Sequence, residues 1–217
     1  MTRRFVIIGQ KATASPDFSL LDLPGTSGRL DVLLRCLRAA LLVSHGLRRD
    51  TIVYLVLLGG KDAPRVLRVD GSAIRFVRPD ERALALLVQK ALARELPPAA
   101  PGAFVEIRPG LARAAGGLEA VLADLGPRAV TAYVLEEHGR DVREGPLADH
   151  DVVVFVGDNH GFDGATRGEI ERLGTTSIGI GPLSLHADDA ISVIANEMDR
   201  RAAAAGPTSA PGRDSEP

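Results

Sequence analysis

The sequence is poor in the residues that build cross-links and large aromatic clusters. It has one cysteine, no tryptophan, two tyrosines and six phenylalanines among 217 residues. A single thiol, Cys36, can close no internal disulfide and can supply no zinc cluster, which suits a reducing compartment. It sits in a helical pattern and reads as a small packing residue. No apolar run reaches the roughly 18 residues that span a bilayer, and MTRRFVIIGQ has too short an apolar stretch for a secretory signal. The expectation is a cytoplasmic protein with no membrane partner. Net charge is only −2, so the chain lacks the excess of a generic nucleic-acid binder. Nucleotide and metal signatures are missing too. There is no Walker A motif, and neither GIG nor GDNHGFDG fits GxGxxG. DNHGFDGATRGE has calcium-loop length, but Phe162 and Asp163 fall at its fifth and sixth positions, where an oxygen ligand and a glycine belong. His138, His150, His160 and His186 show no HxxxH spacing, so no metal is expected.

What is present is an alternation of short aliphatic runs with helical patterns, the mark of a layered α/β fold. Residues 4–9, 51–60, 129–139, 150–161 and 175–183 read as strands, and 65–77 as a hairpin turning at Asp70-Gly71. Residues 27–46 read as a helix with Leu30, Leu33, Leu34, Leu37 and Leu41 on one face, Ser27 capping its start and Gly46 its end. Ser44-His45 reads as a capping pair at that end. Pro79 opens a second helix over 79–96, and PPAAPG (97–102) stops it as the candidate boundary between lobes. Further helices are expected near 163–173 and 185–201. Residues 206–217 carry no apolar anchor and are expected to be disordered.

Charge divides the chain. Residues 1–96 hold 16 Lys+Arg against 9 Asp+Glu, net +7, and residues 97–217 hold 10 against 19, net −9. Three strands of the acidic half end in glycine-bearing turns, and the C-terminal ends of strands are where open α/β sheets bind ligands. Backbone groups of such turns can read an adenine edge, with Leu135, Ile180 and Leu183 against its ring. Glu136, Glu137 and Asp158 nearby would suit a cation better than a polyphosphate. S-adenosylmethionine meets both conditions, although acidic loops that are simply solvated would look the same.

At these residues the sequence resembles the TrmY-type tRNA pseudouridine N1-methyltransferases of the SPOUT class. The resemblance lies in SPDFSLLDLPGTSGRLDVLLRCLRAALLVSHGLRRD (15–50), PDERALALLVQKAL (79–92), FVGDNHG (155–161) and GPLSLHADDAISVIAN (181–196), and covers about residues 4–200. It implies one SPOUT-type α/β domain over 1–205, with helices on both faces of a parallel-rich sheet. The half 102–205 would be threaded as a trefoil knot, and the assembly would be a homodimer. The leucine face of 27–46 is expected to offer apolar surface to the second subunit. The resemblance implies that Leu135, Glu136, Gly157, Ile180, Gly181, Pro182, Leu183, Ser184 and Leu185 hold S-adenosylmethionine. It implies that Arg29, Arg35, Arg38, Arg48 and Arg49 face tRNA phosphates, although Asp31, Arg35 and Arg38 could equally form an ion-pair stripe. Asp158 is the candidate to orient the acceptor or take its proton. The implied reaction is N1-methylation of pseudouridine 54 of tRNA. The family's tRNA enzymes commonly carry a cysteine near the start of the last helix, where this chain has Ala190. That departure leaves open another RNA or small-molecule nitrogen as acceptor, or a homologue that binds without turnover.

Overall fold

Successive residues of the central strands point alternately into two separate cores, and this alternation sets the architecture. In the computed structural model, which describes residues 1–126, 130–145 and 147–204, the chain forms β1 (Arg3–Thr13), the single turn α1 (Leu23–Thr26), α2 (Leu30–Leu41), a short hairpin of β2 (Leu42–Val43) and β3 (Gly46–Leu47), β4 (Thr51–Gly59), β5 (Arg65–Asp70) and α3 (Glu81–Ala93). It continues through β6 (Val105–Arg108), β7 (Leu111–Ala115), α4 (Leu118–Leu125), β8 (Thr131–Asp141), β9 (Val152–Gly157), α5 (Gly164–Arg172), β10 (Thr176–Gly179) and α6 (Ala187–Ala204). Eight strands make one sheet in the order β10-β8-β9-β1-β4-β5-β7-β6. Neighbours are parallel from β10 to β4 and antiparallel from β4 to β6.

Phe5 and Ile7 of β1, Leu55 of β4 and Val154 of β9 pack under α2, α3 and α6. Val6, Ile8, Tyr54 and Phe155 point the other way, under α4 and α5. Helices therefore cover both faces, as parallel strands require. The leucines of α2 are fully buried in the first core. They leave no surplus apolar face for a second subunit, so that argument for a dimer fails on packing.

Several local expectations are corrected. Helix α2 ends at Leu41, not Gly46, because Leu42 takes extended backbone. Ser44, His45 and Gly46 belong to the β2–β3 hairpin rather than to a helix end. Ser27 does serve the start: its Oγ accepts the Leu30 amide at 3.2 Å while donating to the Leu23 carbonyl at 2.6 Å. The helix at 79–96 begins at Glu81, where Asp80, not Pro79, is the cap and accepts the Ala83 amide at 2.8 Å. The hairpin at 65–77 does not form. The edge of β5 that a returning strand would occupy is taken by β7, and after Asp70 the chain turns through an Ile74 amide to Asp70 carbonyl bond toward α3. Segment 97–102 joins α3 to β6, and β6 and β7 extend the same sheet beyond β5. The expectation for 206–217 lies outside the described residues. Among the described residues no helix is long and apolar enough to cross a membrane.

Candidate functional site

Strands β8, β9 and β10 run parallel, so their C-terminal ends and the loops that follow gather at one end of the sheet. There they enclose a cavity of about 750 Å³. Its walls include Leu135, Glu136, Gly157, Asp158, Ile180, Gly181, Leu183, Ser184 and Leu185, each expected from the sequence; Pro182 lies in the same turn but does not line it. Arg29 at the N-terminal end of α2, Val32 and Arg35 within it, and Asp188 and Ala190 of α6 also line it.

Glycine is required where these turns touch. An ideal Cβ on Gly139 of β8 would stand 2.3 Å from the Ile178 carbonyl carbon of β10, and one on Gly157 would stand 2.9 Å from Gly161 Cα. Gly181 has φ +138°, a backbone that residues with side chains rarely adopt. These glycines let β8 and β10 approach each other and let the turn after β9 fold tightly on itself beside the cavity.

Asp158 is buried and both its oxygens are engaged. Oδ2 accepts the Gln10 amide at 2.8 Å and Oδ1 the His160 amide at 2.7 Å. It ties the end of β1 to the turn after β9. Glu136 is likewise occupied, with Arg167 at 2.6 Å and Ser177 Oγ at 2.7 Å. The Arg167 guanidinium, with help from the Ser177 hydroxyl, holds its carboxyl below the usual carboxylate range. This side chain fastens β8 to α5 and β10 rather than facing the cavity as a free acid. Asp188 and Asp189 sit in the first turn of α6, where the helix dipole favours negative charge.

The aliphatic part of the wall is uneven. Ile180 and Leu135 rest on the main core, whereas Leu183 is 76% exposed and Leu185 47%. Exposed leucines at the mouth of a cavity are apolar surface awaiting a cover. Glycine turns, two open leucines and carboxylates on Asp188 and Glu137 make a donor set that fits a ligand with an aromatic ring and a positive charge, as S-adenosylmethionine has.

The arginines expected to meet RNA separate into two groups. Arg29 and Arg35 face the cavity, and Arg38 is exposed one turn further along α2. Arg48 and Arg49 lie at the far end of the sheet and are spoken for. Arg48 pairs with Asp199 of α6, and Arg49 donates to the carbonyls of Gly71 at 2.9 Å and Ile74 at 2.8 Å. Sequence reasoning missed the segment 75–82. Arg75, Arg78 and Arg82 are exposed there without ion pairs among the described residues, beside Phe76 at 69% exposure. The signal was RFVRPDER, an aromatic set among arginines, hidden by its assignment to a hairpin. Also unforeseen at the cavity were His138, Asn159, Phe162 and Arg167. Ala190, buried on α6, presents a methyl group to the cavity wall where the resemblance expects a thiol.

Comparison with known proteins agrees with this geometry. The chain is 41% identical over 204 residues to the tRNA (pseudouridine(54)-N(1))-methyltransferase of Methanosarcina mazei, covering 94% of each chain. It is 38% identical to the enzyme of the same name from Methanosarcina acetivorans, again over 94% of each. The fold matches the crystal structure of Archaeoglobus fulgidus Nep1 bound to S-adenosylhomocysteine, with TM-score 0.65 and 16% identity over 94% of this chain and 100% of that one. This supports the SPOUT-like character of the sheet and its helices. The family described as "Putative SAM-dependent RNA methyltransferase" matches residues 2–203, and the chain belongs to it.

Proposed function

We propose that this chain is an S-adenosylmethionine-dependent methyltransferase that methylates N1 of pseudouridine 54 in tRNA. The observation that carries the reading is the cavity at the strand ends, lined by the turns that hold Gly157 and Gly181, by Leu183 and Leu185, and by Arg29 and Arg35. S-adenosylmethionine supplies an electrophilic methyl group on a sulfonium. Leu135, Ile180 and Leu183 would flank its adenine, and the backbones around Gly157 and Gly181 would read its polar edges. Pro182 would hold the 180–185 turn in shape, with Ser184 and Leu185 closing the same side. Asp158, pinned by two amides, keeps the 158–161 turn beside the reacting centre, and its remaining lone pairs can orient the acceptor's N–H. Positioning of this kind supplies much of a rate enhancement when the transfer is in line.

For the RNA, Arg29 and Arg35 face the acceptor side, while Arg38 and the 75–82 segment extend the positive surface outside the cavity. Exposed arginines around an exposed aromatic suit an unpaired nucleotide, which stacks while its phosphates are neutralised. A trefoil thread through the C-terminal half belongs to this reading. In its support, Arg201 of α6 bonds the Val142 carbonyl and, at 2.9 Å, that of Gly145, so the 142–145 loop lies across the last helix. A homodimer and a cytoplasmic location, where tRNA is found, complete it and rest on the family resemblance.

Nucleoside mass spectrometry tests the proposal. Incubation with S-adenosylmethionine and tRNA carrying pseudouridine 54 should yield N1-methylpseudouridine. Retained S-adenosylhomocysteine binding with no methylated product would turn the reading toward a non-catalytic binder. Product on another RNA or small molecule would favour the second reading, which Ala190 at the cavity wall supports. Gly181→Val should abolish cofactor binding in calorimetry.

A further inference from the structure

Asp31 is almost fully buried, at 2% exposure, in the first turn of α2. Its carboxylate receives Arg29 in a two-point grip, Nε to Oδ1 at 3.0 Å and Nη2 to Oδ2 at 3.1 Å. Arg35 Nη1 reaches Oδ2 as well, at 3.1 Å. Such a planar double contact fixes where a guanidinium points as well as how strongly it is held. The backbone beneath is equally constrained. Among the described residues Arg29 is the only non-glycine with positive φ, at +68°, and it follows Gly28 at +61°. A Cβ on Gly28 would stand 1.8 Å from the Lys11 carbonyl oxygen. Side chains held in such conformations gather at functional sites, where the surroundings over-determine them.

A surface ion pair would need none of this. The Arg29 side chain is 42% exposed, it lines the cavity, and among the described residues its Nη1 has no hydrogen bond. Arg35 is shared more widely: Asp188 and Glu81 stand 3.8 Å and 3.7 Å away. Both arginines keep free donors, but only Arg29 is aimed by a two-point grip and, among the described residues, has no second carboxylate within 4 Å. We propose that Asp31 is a positioning residue, and that it aims Arg29 at the carbonyl oxygen beside the methylated ring nitrogen of the acceptor. The inference rests on the methyltransferase reading. In that reaction an N–CH₃ bond forms as the sulfonium S–CH₃ bond breaks, and the ring N–H proton passes to solvent. As the proton leaves, its electron pair spreads onto the adjacent carbonyl oxygen, and a donor fixed there beforehand stabilises that charge without reorganising.

The test is a double-mutant cycle in single-turnover methylation of tRNA carrying pseudouridine 54, with the S-adenosylhomocysteine affinity of every variant measured by calorimetry. Arg29→Ala should slow methylation about a hundredfold, the size of a lost oxyanion donor. Asp31→Asn should slow it about tenfold to a hundredfold, as loss of an orienting partner does. In the Arg29→Ala background Asp31→Asn should slow it no further, and Arg29→Lys should recover little because an ammonium cannot take the two-point grip. Cofactor affinity should stay within twofold throughout. If Asp31→Asn unfolds the chain, Arg29→Lys and Arg29→Ala, which keep Asp31, carry the test. Additive effects, or Arg29→Ala at the wild-type rate, overturn the proposal while leaving the methyltransferase reading intact. A wild-type chain that forms no product overturns both.

Discussion

The two ends of the sheet are both rich in arginine and aspartate, and they use them in opposite ways. At the N-terminal ends of the parallel strands the charges close on one another. Arg3 pairs with Asp199, and its Nε lies 3.0 Å from Asp50 at an angle that makes an ion pair without a hydrogen bond; Arg48 meets Asp199 from the other side, and Arg4 meets Asp151 at 3.0 Å. At the cavity end Arg29 and Arg35 share one buried carboxylate and keep donors over open space. One end holds the first strand, the 48–50 turn and the last helix together. The other leaves cationic groups unspent. Arginine content alone, the basis of the +7 count, could not tell these apart, because the difference lies in which carboxylates the fold brings within 4 Å.

The sharpest way to break the comparison is at the cavity end, through backbone. Gly139→Ala places a methyl group 2.3 Å from a backbone carbon of β10, which no rotamer can relieve. We expect about 3–4 kcal/mol lost from unfolding stability, as for severe overpacking, together with loss of S-adenosylhomocysteine binding. Urea unfolding and calorimetry check both. A fully stable Gly139→Ala chain would mean that β8 and β10 do not cross at this point.

The opposite end is sharpened by Asp199→Asn. Burial works against the Asp199 charge, but hydrogen bonds from Arg3 and Arg48 outweigh it and hold the carboxyl below its ordinary value. The Arg3 side chain is only 6% exposed, so removing one of its two carboxylate partners leaves a buried cation with Asp50 alone, and the 37% exposure of Asp199 moderates the loss. About 2–3 kcal/mol is expected at pH 7, toward the low side of broken buried pairs. A carboxyl with a depressed folded pKa contributes fully above its unfolded value near 4 and loses that contribution as pH falls through the folded pKa. The stability gap between wild type and Asp199→Asn should therefore be full at pH 7 and close below about pH 4. A gap independent of pH would assign the effect to packing instead of charge.

The cavity was legible in the sequence because its signal is local. Gly-rich turns at the ends of aliphatic runs, such as VVVFVGDNHG and SIGIGPLSL, mark strand ends wherever the strands lie. Family likeness then selected the ligand. What the sequence could not show was pairing across distance. Nothing local in RVLRVDGSAIRFV reveals that β7, about 45 residues further on, takes the free edge of β5, and alanine-rich LARAA has weak strand propensity of its own. The fate of Arg48 was hidden for the same reason, since Asp199 is 151 residues away.

The smallest effect expected compares paired and unpaired arginines that lie close together, since Arg49, next to Arg48, holds the Gly71 and Ile74 carbonyls just before Arg75, and it lies in RNA binding. If the exposed arginines of 75–82 neutralise phosphates, Arg75→Ala with Arg78→Ala removes two contacts. Each contact contributes about 0.7–0.9 to the slope of log affinity against log salt, so the slope should fall by about 1.5 and affinity by about tenfold at physiological salt. Stability should hardly change, because neither side chain has an ion pair to lose among the described residues. Arg48→Ala should do the reverse, lowering stability through the loss of its Asp199 pair while leaving the salt slope at the wild-type value. Filter binding of tRNA across a salt series, beside thermal unfolding of the same variants, measures both. A slope that fell for Arg48→Ala and held for the 75/78 pair would reverse the assignment, because Arg48 could contact a phosphate only after releasing Asp199.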